Sequence, residues 1–283
     1  MKILFLLKEH PRNLNLLDEF KKKNGNLNVD LVLMKGEDLL PSPPDNISIN
    51  LKRLWKIHFT KRYEFESKYF DINKKVLKSM ANNFLEALDY KDKNFLNFLG
   101  RNKYDICFIS GIEIIPESLL KILPEYTINF HLGFIPYYKG SITTFWPFYF
   151  LEPHMLGTTY HIIDKKVDNG EILHTSFPSL SKGDSLHESS CKAIIKGHLE
   201  INNIYMHCKK RILNNIQVDK DYSLANKGKN FKKVDWKPEM LTFIYDTHQD
   251  DIVKNFYDKK KMLKMKYFII NETLEKEKKT FDE

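Results

Sequence analysis

The chain opens with an uninterrupted apolar run, Ile3-Leu4-Phe5-Leu6-Leu7, closed by Lys8. A run this short, bounded by charge, reads as a strand buried on both faces. Leu14, Leu17 and Phe20 then recur on one helical face. Residues 28–34 read as a second strand, with Val29, Leu31 and Leu33 alternating with Asp30 and Val32. Strand, helix, strand predicts a parallel sheet with a right-handed crossover. No Gly-x-Gly-x-x-Gly follows the first strand. Lys8-Glu9-His10-Pro11-Arg12 stands there instead, so the dinucleotide fingerprint is missing.

The rest of the chain extends this pattern. Pro41, Pro43 and Pro44 mark a loop. Residues 51–70 mix aromatics with cations, among them Trp55, His58, Lys61 and Arg62. Val76, Leu77, Met80, Phe84, Leu85 and Leu88 lie at helical spacing and predict a helix over 74–100. Strands are expected over 105–111 and 125–131, with a short helix after Pro116 between them. Phe145, Trp146, Phe148 and Tyr149 predict a helix over 141–152, followed by strands at 157–163 and 171–177. Asp184, with Glu188 four residues on, opens a long helix to about residue 213. The expected class is therefore α/β: a Rossmann-like, mostly parallel twisted sheet flanked by helices, with a small C-terminal appendage. Residues 1–213 form the main domain. Residues 214–283 are a polar linker and a small extension around Trp236 and Phe243-Ile244-Tyr245, frayed from 272 onward.

Composition narrows the function classes. The 283 residues suit one main domain of about 200 residues, and 42% hydrophobic content supplies a core. The net charge of +8 raises a nucleic-acid hypothesis. The lysines are dispersed among acids and Asn, which favours a solvated surface, and a small basic pocket for a phosphorylated substrate fits the charge equally well. Three cysteines without regular spacing give no disulfide framework and no zinc motif, so no metal is expected. The N-terminal run is too short for a secretion signal, and no run approaches the roughly 20 residues that span a bilayer. Cytoplasmic placement, with no membrane and no nucleic-acid partner, is the expectation.

The chemistry concentrates in Thr127-Ile128-Asn129-Phe130-His131. On a strand, Asn129 and His131 share one face while Ile128 and Phe130 take the other. At a sheet edge this sets an amide beside an imidazole where open α/β sheets bind ligands. Asp168, in the polar loop Lys165-Lys166-Val167-Asp168-Asn169-Gly170, is placed to reach the same crevice. An amide, an imidazole and a carboxylate suit acyl transfer to an amine: the amide donates to the oxyanion, the imidazole takes or gives a proton, and the carboxylate orients it. No Ser or Cys nucleophile is needed, because the amine attacks. The plain alternative is that all three are ordinary strand-end and turn residues.

Five ordered segments add a resemblance. Asn129-Phe130-His131, Ile135-Pro136-Tyr137-Tyr138-Lys139-Gly140, Trp146, Gly157-Thr158-Thr159-Tyr160-His161 and Val167-Asp168-Asn169-Gly170-Glu171-Ile172 resemble the 10-formyltetrahydrofolate-dependent formyltransferases. The likeness is close over about residues 100–180 and holds in outline over 1–215. It implies Asn129, His131 and Asp168 as the catalytic trio and 10-formyltetrahydrofolate as co-substrate. It places the folate between two loops, at Gly111, Glu113 and Ile115 and at Asp164, Lys166 and Val167. Leu132-Gly133 stands where the family usually has Pro-Ser, and Lys139 replaces a common Arg; both bear on loop shape and on the acceptor.

Within that family, Phe145-Trp146-Pro147-Phe148 and the short extension are most similar to sugar N-formyltransferases. The implied partner is a nucleotide-linked amino-deoxy sugar of a surface-glycan pathway, UDP-linked on the pseudaminic-acid type of route, in a homodimer. Lys8 and Arg12 are the candidate phosphate cations, with Arg62 as a third, against the plain alternative of surface charge. Trp146 is a candidate substrate stack, against the alternative of a core aromatic. His161 faces the same crevice in a supporting role. Two other functions stand beside this one: methionyl-tRNA formylation, which requires a basic RNA-binding face, and a non-catalytic folate or nucleotide-sugar binding module.

Overall fold

A computed structural model describes residues 1–72, 74–165, 167–219, 222 and 228–258. The elements run β1 (Ile3–Lys8), α1 (Pro11–Lys23), β2 (Val29–Met34), α2 (Ile49–Tyr69), α3 (Lys74–Met80), β3 (Asn83–Ala87), α4 (Lys93–Gly100), β4 (Ile106–Ser110), α5 (Glu117–Leu120) and β5 (Tyr126–His131). They continue with β6 (Tyr138–Gly140), α6 (Trp146–Tyr149), β7 (Thr158–Ile162), β8 (Ile172–Ser176), α7 (Leu186–Leu199), α8 (Ile201–Leu213), β9 (Lys229–Phe231), α9 (Met240–Thr242) and α10 (Ile252–Asp258).

Seven strands form one sheet in the order β3-β2-β1-β4-β5-β7-β8. The first five are parallel; β7 and β8 join antiparallel. The apolar opening run is β1, buried along its length at the middle of the parallel part. The chain moves from β1 outward to β2 and β3, then returns to β4 on the other side of β1. That reversal creates a crevice at the carboxyl ends of β1 and β4. One face of the sheet packs Phe5, Phe20, Phe108, Phe130 and Tyr205 beneath α1, α7 and α8. The other packs Leu4, Leu6, Cys107 and Ile109 against Phe95 and Leu99 of α4 and Leu119 of α5. Cys107 is a core hydrophobe, and burial pushes its thiol pKa up.

Three of the expected elements differ. The spacing over 74–100 is not one helix. The helix stops at Met80, and Asn83–Ala87 adds a parallel edge strand to β2. Asn82 Oδ1 accepts the Val29 N–H at 2.9 Å, and the Asn83 side chain donates to Asp30 at 2.8 Å. The open backbone edge of β2 outcompetes a helix whose would-be apolar face includes Val76 and Leu88, both exposed. Asp92 then caps α4, accepting from Asn94 N at 2.8 Å. Likewise 141–152 keeps only the short α6, because Ile142 and Leu151 both adopt φ 59° at its two sides. The long helix expected from Asp184 starts one residue later, capped by Ser185, and breaks at Glu200 into α7 and α8.

The segment 214–233 contains β9, which pairs parallel with β6. Leu241, Ile244, Ile252 and Val253 share a buried cluster with Leu54 of α2, Phe145, Trp146 and Leu186. The tail expected to fray, 272–283, lies outside the described residues. Among the described residues no helix is long and apolar enough to cross a membrane.

Candidate active site

Strand β5 builds the first half of the site. Ile128 and Phe130 face the core beneath α1, α7 and α8, so Asn129 and His131 project from the opposite face. β4 ends at Ser110, opposite Phe130, so His131 reaches beyond its parallel neighbour. On the other side β7 runs antiparallel, setting His161 opposite Asn129 and Thr159 opposite His131. Asn129 is half-buried and His131 is buried.

The loop between β7 and β8 brings the carboxylate. Asp168 adopts φ 46°, a left-handed conformation that Asp tolerates better than most residues. Its Oδ2 lies 3.5 Å from His131 Nδ1 and accepts the Gly140 N–H at 2.6 Å. Its Oδ1 lies 3.4 Å from His161 Nε2. Asn129 Nδ2 in turn donates to His161 Nε2 at 3.1 Å. The amide, the two imidazoles and the carboxylate thus form one connected group. Gly140, at φ 88°, makes this possible, since a Cβ there would collide with the Phe231 carbonyl.

The partners assign the tautomers. His131 Nε2 donates to the Tyr138 carbonyl at 2.9 Å, and His161 Nδ1 donates to the Ile162 carbonyl at 2.9 Å. In neutral rings the nitrogens facing Asp168 therefore carry lone pairs. Burial alone would push the Asp168 carboxyl up. Once a ring is protonated, the charge of His131, the hydrogen bond and charge of His161, and the Gly140 N–H together outweigh burial and hold the carboxyl well below the usual carboxylate range. Burial pushes His131 down, with Asp168 working in the opposite direction, and the net shift is downward. The pair is an ionised carboxylate beside an imidazole ready to accept a proton. One added proton turns a lone pair facing a carboxylate into a charge-assisted hydrogen bond.

Beside this group lie the two loops read as the folate seat. Lys165 bonds Glu117 at 2.7 Å, tying the second loop to the helix that follows the first. Ile112 and Ile163 pack against the same core. Gly111 and Glu113 are exposed, Ile115 is buried, and Tyr90 donates to the Glu113 carbonyl at 2.6 Å. Asp164 accepts from Asn169 at 3.4 Å, and Val167 is half-buried. Lys166 lies outside the described residues.

The candidate phosphate cations gather at the carboxyl ends of β1 and β2. Arg12 bonds Glu66 at 2.8 Å and Glu37 at 3.3 Å, and Lys8 approaches Glu37 at 3.8 Å. Trp146 is not among the exposed groups. Its side chain is 2% exposed, its ring stacks on Phe231 with centroids 4.4 Å apart, and its Nε1 donates to the Ser141 carbonyl. A ring enclosed in this way packs as a core aromatic.

Two contributors escaped sequence reasoning. The Gly140 N–H carries no side-chain signal. The contact of His161 with both Asn129 and Asp168 depends on the β5–β7 register, although the family resemblance sets His161 on a strand facing this crevice. Among the described residues, no cluster of three or more His, Cys, Asp or Glu side chains is arranged to hold a metal ion.

Solved structures share this architecture. A sugar N-formyltransferase from Shewanella sp FDAARGOS_354 superposes with a TM-score of 0.53 at 14% identity, over 83% of this chain and 78% of that one. The fold is that of a formyltransferase. A second formyltransferase, from Anoxybacillus kamchatkensis, was solved in complex with UDP-4,6-dideoxy-4-formamido-L-AltNAc and tetrahydrofolate. It superposes with a TM-score of 0.50 at 18% identity, over 90% of this chain and 97% of that one. In sequence, the chain is 31% identical over 74 residues to a methionyl-tRNA formyltransferase from Desulforamulus reducens, which is 26% of this chain and 23% of that protein. No family model matches the chain.

Proposed function

We propose that this protein is an N-formyltransferase that moves a formyl group from 10-formyltetrahydrofolate to the amine of a nucleotide-linked amino-deoxy sugar. The observation that carries the reading is the connected group Asn129–His161–Asp168–His131 at the carboxyl end of β5, in a formyltransferase fold.

The substrate amine bonds to the formyl carbon, and the carbonyl oxygen becomes an oxyanion. Asn129 keeps one amide N–H on His161 and offers its second to that oxygen. The nitrogen sheds a proton as it bonds, and the lone pair of His131 beside ionised Asp168 receives it. The proton then passes to the departing folate nitrogen as the carbon–nitrogen bond breaks, which restores the neutral imidazole. The loops at 111–115 and 163–165 flank the group, and the resemblance to folate-dependent formyltransferases makes them the seat of the flat heterocycle in this reading. Lys8, Arg12 and Arg62 lie where a diphosphate would be neutralised. β1 and β5 are separated only by β4, so their carboxyl ends lie roughly 10 Å apart at the same rim of the sheet, on the scale of a sugar.

The test is incubation with 10-formyltetrahydrofolate and a panel of UDP-, dTDP- and GDP-linked amino sugars. Mass spectrometry should show the gain of one CO on one of them. The 74-residue likeness favours methionyl-tRNA formylation as the second reading. It would be supported instead by formylation of charged initiator tRNA, with salt-sensitive binding and no sugar product.

A further inference from the structure

The cations at the mouth of the crevice already hold an anion of the protein's own. Four side chains converge on the Glu37 carboxylate: Arg12 at 3.3 Å, Lys8 at 3.8 Å, Arg62 at 3.9 Å and His10 at 4.0 Å. We propose that Glu37 is a built-in occupant of the phosphate seat, which the diphosphate dianion of the substrate must displace in order to bind. The proposal rests on the phosphate-binding part of the functional reading above.

The two carboxylates in this cluster differ in kind. Glu66 is buried, with 8% side-chain exposure, and bonds Arg12 at 2.8 Å, so it is a permanent part of the site. Glu37 is 35% exposed and holds its cations at longer range, so its side chain can leave into solvent. With both carboxylates in place, Lys8, Arg12 and Arg62 leave one net positive charge. With Glu37 displaced they leave two, which matches a dianion.

The seat also has unused donors. Both ring nitrogens of His10, 1% exposed, make no hydrogen bond, with Nε2 3.4 Å from the Glu66 carboxylate, and the buried Nε groups of Arg12 and Arg62 make none either. Unpartnered buried donors are costly, and a multi-oxygen anion is the ligand that satisfies several at once. Burial and the flanking cations keep His10 neutral, so it donates a single N–H without adding charge.

The backbone of the Glu37 segment is pinned. The Lys35 N–H bonds the Ala87 carbonyl at 2.9 Å, and Gly36 lies so close to the Glu9 carbonyl that a Cβ would not fit. Downstream, Arg62 bonds the Leu39 carbonyl at 3.1 Å and Trp55 bonds the Pro41 carbonyl at 2.7 Å. Displacement therefore needs only rotation of the Glu37 side chain. The arrangement screens ligands by charge: a weak monoanion does not outcompete Glu37, and a dianion does.

Calorimetric titration of the full chain with inorganic pyrophosphate tests this. Glu37→Gln should bind pyrophosphate about tenfold tighter than the unaltered protein. Asp38→Asn, which removes a neighbouring carboxylate from the same loop, should change affinity less than about twofold at moderate salt. Adding Lys8→Gln to Glu37→Gln should abolish most of the gain. Equal affinity for the unaltered protein and Glu37→Gln would overturn the displacement proposal and leave the phosphate seat standing. An equal gain from Asp38→Asn would overturn it too, as a bulk charge effect. Binding to neither protein would overturn the phosphate seat itself, and the displacement proposal with it.

Discussion

Asp168 is the residue on which the chemistry turns, because it touches two imidazoles and a backbone N–H at once. Asp168→Asn keeps the shape and removes the charge. The carboxylate raises the His131 pKa against burial, so its loss must lower that pKa further. The acidic limb of the kcat/KM profile, set by unprotonated His131, should therefore move to lower pH in Asp168→Asn, as pH–rate profiles of both proteins would show. Asn129→Ala should cost about 10²–10³-fold in kcat, the usual loss for one oxyanion donor. Trp146 makes a contrasting case. Its enclosure predicts that Trp146→Ala destabilises the protein by about 3–5 kcal/mol in denaturant unfolding. At this scale the site was partly legible in the sequence. Strand alternation shows which face Asn129 and His131 share, because it depends only on local geometry, whereas His161 is set at the crevice by the family resemblance alone. The Gly140 N–H and the Glu37 carboxylate depend on which loops meet, and nothing local encodes that.

Among the elements, α2, α7 and the turn after α9 meet at buried polar groups. His58 Nδ1 lies 2.9 Å from the Tyr245 hydroxyl and 3.2 Å from His187 Nε2. Burial pushes the His58 pKa down to about 3, and burial with the nearby charge of His58 pushes His187 down as well. Each binds its proton more readily in the unfolded chain. Their contribution to stability is therefore complete above the unfolded value near 6.5 and is lost as pH falls from there toward 3. Thermal unfolding should show Tm falling from pH 7 to pH 5, with stability changing by about 1.4 kcal/mol per pH unit for each such histidine. His58→Phe should flatten that dependence. The expected elements that failed, a helix over 74–100 and another over 141–152, failed for a related reason. Helical spacing records which residues are apolar, whereas the vacant edge of β2 and the positive φ of Ile142 and Leu151 decide what the backbone does.

For the molecule as a whole, the opening strand, helix and strand were enough to indicate a parallel sheet, because the crossover rule leaves little choice once β1 is buried on both faces. The reversal of strand order beside β1 then places the cation cluster and the Asn129–His131–Asp168 group at the same rim of the sheet. In the proposed reaction, proton transfer runs through the Asn129–His131–Asp168 group at that rim. The most direct test is single-turnover formyl transfer from 10-formyltetrahydrofolate to the amino sugar that the unaltered protein accepts, compared with Asp168→Asn of verified fold. A rate reduced by about 10²–10⁴-fold, with substrate still bound, is the predicted result. An unchanged rate would contradict the assignment of proton transfer to this group.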